Sequence, residues 1–282
     1  MRGVSALTQS PAAEEAAQFA ATVGVIASRH ALPDPWVPGA AASDASPALE
    51  EALREAGWEE LGRDEALLPL AAPAGAALGR AFATLAPVDA LLGGALRVGE
   101  LVRYPREGLP HVEPRDRALH VTPGAPLSPL PYTDALGVAR VPQGTHDGHG
   151  KVAPPDAERR MAAWVAASTG YLAGLGEEAL RLAVDHARSR RAFGGPLSAL
   201  EPVQQMLADA ATLVDGLTLL TGHRPGVDAL AHAGDAAERA VAICMQVTGA
   251  LGFTMEFPLQ FAYRRSRSAR AWNEAVLVAW ER

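Results

Sequence analysis

HARSRRAFGGPLSALEPVQQMLADAA, residues 186–211, reads as the end of one helix, a glycine turn and the start of another. Upstream, Met161, Trp164, Val165, Leu172, Leu175, Ala179 and Leu182 keep a three-to-four spacing without a proline. From Asp156 to Arg191 this predicts one helix of about 35 residues and roughly 50 Å. Downstream, Val203, Met206, Leu207, Ala210, Leu213, Val214 and Leu217 share one helical face, and Ser198 and Glu201 have capping-box spacing. A third helix is expected from Val227 to Gly249, and a last one carries Trp272, Val276 and Trp280. Long helices joined by short links imply an antiparallel four-helix bundle.

Towards the N-terminus the texture changes twice. In residues 96–155, LRVGELVRY and RALHV alternate apolar and polar residues between Pro and Gly, as strands do. Residues 1–95 read as short helices. Ser10-Pro11 and Ser46-Pro47 each place a capping residue before a proline suited to a first turn. Phe19, Val23 and Ile26 mark one apolar face, Leu49 and Leu53 another that Gly57 closes. A further helix is expected over roughly 74–95 from Leu78, Phe82, Leu85 and Leu92, and LPDPWVPG is a proline-rich loop. The fold class is therefore mainly α, in three parts: N-terminal helices (1–95), a small β-domain (96–155) and a C-terminal bundle (156–282).

The 282 residues carry 25 basic and 32 acidic side chains, a formal net charge of −7, and 49% are hydrophobic. That balance excludes a disordered chain and gives no basic patch for nucleic acid. No apolar run is long enough for a transmembrane helix, and the N-terminus lacks the apolar segment of a secretory signal. The lone Cys244 can form neither an internal disulfide nor a multi-cysteine metal site, which points to a reducing cytoplasm.

Nucleophile-elbow, P-loop and zinc-helix patterns are absent. His146, Asp147 and His149 share one loop without further ligands, which reads as a solvated turn, so no metal is expected. Glu256 is a lone carboxylate among Phe253, Met255, Phe257 and Leu259, just after a glycine turn. Desolvation there would raise its pKa, as a base for a weakly acidic carbon requires. The alternative is an exposed turn glutamate. Arg188 and Arg191 complement the negative end of the long helix, and Phe193, Met206 and Leu207 read as bundle core.

Two segments together resemble the C-terminal helical domain of the acyl-CoA dehydrogenase family. Arg190-x-x-Phe193-Gly194 ends the long helix, Leu207-Ala208-Asp209 follows in the next, and Gly249-x-x-Gly252-Phe253 precedes Glu256-Phe257-Pro258. ALREAGWEELG is similar to the family's leader helix and turn. The resemblance implies FAD, an acyl-CoA or acyl-carrier thioester substrate, and a homo- or hetero-oligomer (dimer or tetramer) built on the bundle. It implies that Arg190, Phe193, Gln246 and Gly249 approach a neighbour's FAD and that Glu256 is the catalytic base. The implied function is an FAD-dependent α,β-dehydrogenase of lipid or secondary metabolism, one subunit of a composite flavin site. Two alternatives are a redox-inactive catalyst using Glu256 as acid/base and a non-catalytic partner subunit. The chain departs from the pattern at Glu201, where the family has Gln, and at Ala250, where it has a second Gly. Trp164 stands where some relatives place the base, and residues 96–150 hold nothing like the flavin-cradling T-E-P-G-x-G-S-D.

Overall fold

The computed structural model describes residues 11–30, 47–106, 108–124, 128–130, 138–141, 150–222, 224–254 and 256–281. Ser10, Ser46, the LPDPWVPG loop and the His146–His149 loop lie outside them. The N-terminal helices are α1 (Pro11–Arg29), α2 (Pro47–Glu55), α3 (Leu68–Arg80) and α4 (Ala86–Ala90). Strands β1 (Ala95–Val98), β2 (Leu101–Arg103), β3 (His111–Arg115), β4 (Ala118–Thr122), β5 (Ser128–Pro129), β6 (Val138–Arg140) and β7 (Gly150–Val152) follow. The last four helices are α5 (Asp156–Ser189), α6 (Glu201–Thr221), α7 (Val227–Thr248) and α8 (Leu259–Glu281). The mainly helical class with a small sheet and a C-terminal helical bundle is what the sequence predicts.

Helix α5 is 34 residues long and runs through the centre, with Ala163–Gly176 buried on every side. It packs against α6, α7 and α8 on the bundle side and against α3 on the other. The α3–α5 contact is close because both helices remove side chains there. Gly75 and Gly79 on α3 face the carbonyls of Ala167 and Tyr171, while Gly170 and Gly174 on α5 face those of Ala72 and Ala76. A Cβ at any of the four would land on a backbone oxygen. One apolar core thus runs from Val23 and Leu78 through Trp164 and Leu172 to Val241 and Val276.

The helix expected over 74–95 is two helices instead. Helix α3 stops where Phe82 takes φ 49°, and Ala83 N–H reaches back to Leu78 O (3.0 Å), a helix stop of the Schellman kind. Glycine usually fills that left-handed position. Here tertiary contacts hold it: Arg265 donates to Phe82 O, and the Tyr171 hydroxyl donates to Ala83 O at 2.6 Å. Helix α4 restarts with Pro87 in its first turn.

The sheet runs β5-β6-β2-β1-β3-β4-β7, antiparallel except for β1 beside β3. LRVGELVRY is a hairpin of two strands, turning at Gly99 (φ 59°) and Glu100. A second hairpin, β3–β4, turns at Asp116 and Arg117, both left-handed. That turn docks on the end of α8: Asp116 N–H donates to Ala279 O (3.3 Å) and Arg117 N–H to Trp280 O (3.1 Å). Two helix-end carbonyls that would otherwise lack partners are satisfied by the sheet.

Candidate functional site

Arg190 is the residue at which α5 leaves the helix, its own backbone extended at ψ 126°. Its N–H still donates to His186 O (2.8 Å), and its carbonyl accepts from Leu197 N–H (2.8 Å). Between those bonds a minimal hairpin, β8 (Arg191–Ala192) with β9 (Gly195–Pro196), projects from the bundle. Its turn residues Phe193 (φ 53°) and Gly194 (φ 86°) are both left-handed, as a tight twisted hairpin requires. Phe193 is 90% exposed, which corrects its reading as bundle core: the hairpin carries the ring away from the helices. Arg190 is exposed beside it.

The capping box read from Ser198 and Glu201 does not form. Ser198 lies inside the 3-10 turn 197–199, so Leu200 is the cap residue of α6 and no side chain caps its first amides. Gln204 instead donates through Nε2 to Ser198 O at 2.8 Å. Met206 and Leu207 are half-buried against the core.

Helix α7 ends at Gly249, whose φ of 61° and ψ of −143° suit glycine. No described residue lies within 4 Å of the place a Cβ would occupy. Gln246 and Ala250 are exposed on either side of Gly249 in the chain. Gly252 is buried, and a side chain there would strike the Thr248 hydroxyl, itself bonded to Met245 O at 2.9 Å. The following turn carries Glu256 and returns to α5 through Phe257, whose ring meets His186 edge-on at 6.4 Å. Burial, then the Arg190 charge, lowers the pKa of His186 and favours its neutral form.

The fold therefore joins the helix end bearing Arg190 to the turn bearing Glu256, with Gln246 and Gly249 at the end of α7. Glu256 is exposed and Phe253 is 62% exposed. Among the described residues, the apolar enclosure expected around Glu256 is not formed. Arg190, Phe193 and the Gly249 turn are each exposed. A guanidinium, a free aromatic face and an open backbone turn are groups that suit a dinucleotide such as FAD.

A second polar centre escaped the sequence reading. Asp89, from α4, accepts from Arg103 Nε (2.8 Å) and Nη2 (2.6 Å) and from the Trp164 indole N–H (3.2 Å). All three are buried, and the Trp272 ring covers the Arg103 guanidinium at 5.3 Å. Burial pushes the Asp89 carboxyl up against the opposing pull of Arg103 and Trp164; Arg103 resists its own burial through Asp89. Neither residue stands in a motif; a charged pair in otherwise apolar surroundings was the only signal. Among the described residues, no group of three His, Cys, Asp or Glu is placed to hold a metal ion, and no helix is long and apolar enough to cross a membrane. Burial pushes the Cys244 thiol up to about 12, which leaves it unreactive.

Residues 159–224, the greater part of α5 with all of α6, match the family model for the acyl-CoA dehydrogenase C-terminal domain. Over that stretch the chain resembles acyl-CoA dehydrogenase family members. It is 36% identical over 106 residues to the human mitochondrial short-chain specific acyl-CoA dehydrogenase, a match covering 33% of this chain and 26% of that protein. The chain thus spans about a quarter of the length of the curated relatives it matches first. It is 27% identical over 177 residues to the 3-sulfinopropanoyl-CoA desulfinase of Paraburkholderia xenovorans, covering 52% of this chain and 45% of that one. Its fold is like that in the ChsE4-ChsE5 complex of Mycobacterium tuberculosis, with a TM-score of 0.61 at 16% identity over 97% of this chain and 96% of that one.

Proposed function

We propose that this chain is an acyl-CoA dehydrogenase-type subunit that acts on an acyl thioester and completes a composite flavin site with a second subunit. The observation that carries the reading is the exposed surface at the α5 and α7 ends, where Phe193 stands 90% exposed beside Arg190. Arg190, Phe193, Gln246 and the Gly249 turn would hold the edge of FAD belonging to the neighbour. That cofactor, when bound, supplies the hydride acceptor for dehydrogenation. Arg190 would neutralise diphosphate charge, and the Gly249 turn would allow close backbone approach. Glu256 would take the α-proton, and it needs the partner to exclude water around it. CoA and carrier-protein thioesters both suit this reading.

The test is the flavin absorption spectrum of the chain purified alone and together with an acyl-CoA dehydrogenase-like subunit encoded beside it. We expect little flavin on the isolated chain, stoichiometric flavin on the complex, and acceptor-dependent turnover that falls at least about a hundredfold in Glu256→Gln. Stoichiometric flavin on the isolated chain overturns the composite site, and a fully active Glu256→Gln complex removes Glu256 as base. The likeness to a desulfinase favours a second reading, in which the same surface serves thioester chemistry without net oxidation. Turnover without an electron acceptor would select that reading.

A further inference from the structure

A cavity of about 440 Å³ lies between α2, the turn 58–62, α4, β1, β2 and the first turn of α5. It is far from the surface described above, since Arg160 on its wall and His186 beside Phe257 are separated by about 40 Å of α5. Its apolar walls include Leu53, Trp58 and Leu109. Trp58 is fixed by its indole N–H, which donates to Pro87 O at 2.6 Å.

The charged lining is unusual for so small a space. Among the described residues, five arginines line it, at 54, 63, 103, 106 and 160, with four carboxylates, Glu50, Glu51, Glu59 and Asp89. Four of those arginines each meet a lining carboxylate: Arg54 with Glu51, Arg63 with Glu59, Arg103 with Asp89 and Arg106 with Glu50. Arg160 differs. It is half-buried and donates through Nη1 to Leu92 O at 3.2 Å, with no carboxylate against it among the described residues. Arg103, completely buried, spends Nε and Nη2 on Asp89 and leaves Nη1 without a partner. Among the described residues Arg106 Nε likewise has no partner; Glu50 Oε1 also lacks one, but its carboxylate already meets Arg106. A buried guanidinium nitrogen without an acceptor is costly, and an anion relieves it.

We propose that this cavity binds a monoanionic carboxylate with a short apolar body, its oxygens accepting from Arg103 and Arg160. Among the described lining residues one arginine is left over after the carboxylates are paired, which matches one negative charge, not two, and favours a carboxylate over a phosphate dianion. Leu53, Trp58 and Leu109 supply the apolar wall for the ligand's body, and the volume falls in the range of small-molecule sites. The site stands apart from the composite flavin surface, so its failure would leave that proposal intact.

Isothermal titration of the full chain with sodium hexanoate, and separately with inorganic phosphate, tests the site. Hexanoate should bind at one site and raise the melting temperature, with phosphate weaker. Arg160→Gln should weaken hexanoate binding by about tenfold or more, and Arg160→Lys, which keeps the charge, should weaken it less. Melting curves of both variants establish that each is folded; Arg160→Lys carries the comparison if Arg160→Gln is not. Absence of hexanoate binding, unchanged affinity in the variants, or phosphate binding as tightly as hexanoate overturns the proposal.

Discussion

Asp89 sets the energetic character of the molecule's middle. Its carboxylate neutralises a guanidinium with 1% side-chain exposure and accepts a hydrogen bond from the indole N–H of Trp164 as well. Truncating one partner of such a pair leaves the other charge buried without compensation, at a cost of about 3–5 kcal/mol. Asp89→Asn should therefore lower stability by that order, read from the midpoint of urea unfolding. The double change Asp89→Leu with Arg103→Met should lose less than Asp89→Asn, because no orphaned charge remains. A double variant at least as unstable as the single would show that the pair contributes more than it costs. Asp89 and Arg103 lie 14 positions apart on different elements, so no local pattern pairs them. The Arg190-x-x-Phe193-Gly194 turn was legible, since its residue types at that spacing need only local geometry; the exposure of Glu256 was not, because burial depends on what packs above it.

At the scale of elements, the pairing of α3 with α5 rests on four glycines. Gly170→Ala adds helix propensity worth about 1 kcal/mol, yet its methyl would meet the Ala72 carbonyl. Overpacking should dominate, with a net loss of about 1–3 kcal/mol in thermal or urea unfolding. Gly216→Ala in α6 has nothing within 4 Å and should do the opposite, gaining up to about 1 kcal/mol. A neutral Gly170→Ala would mean the helices can move apart without loss. Helix extents in the bundle followed from periodicity alone: about 35 residues were expected for α5 and 34 are present. The 74–95 region misled because its helix stops at Phe82 without glycine, held by Arg265 and Tyr171 from distant parts of the chain. The Ser198 cap failed for a related reason: a 3-10 turn moved the start of α6 by two residues.

For the whole molecule, the distribution of exposed apolar side chains matters most. Phe193 is 90% exposed, Phe253 62% and Leu251 42%, on the turns that follow α5 and α7. Leaving such groups in water is unfavourable, and covering them favours association. Phe193→Ser with Phe253→Ser should shift sedimentation of the chain, or of its complex, towards smaller species without lowering the melting temperature of the subunit. Unchanged sedimentation would place the subunit interface elsewhere. By itself the sequence determined the mainly helical class with a small sheet and the long helices of the bundle, because periodicity and short-range turn chemistry are written along the chain. Only the tertiary structure decided which polar groups are buried together, which motif residues face outward, and where a cavity lined by arginines opens. Those depend on segments far apart in sequence coming to within a few ångströms, a distance that no local pattern encodes.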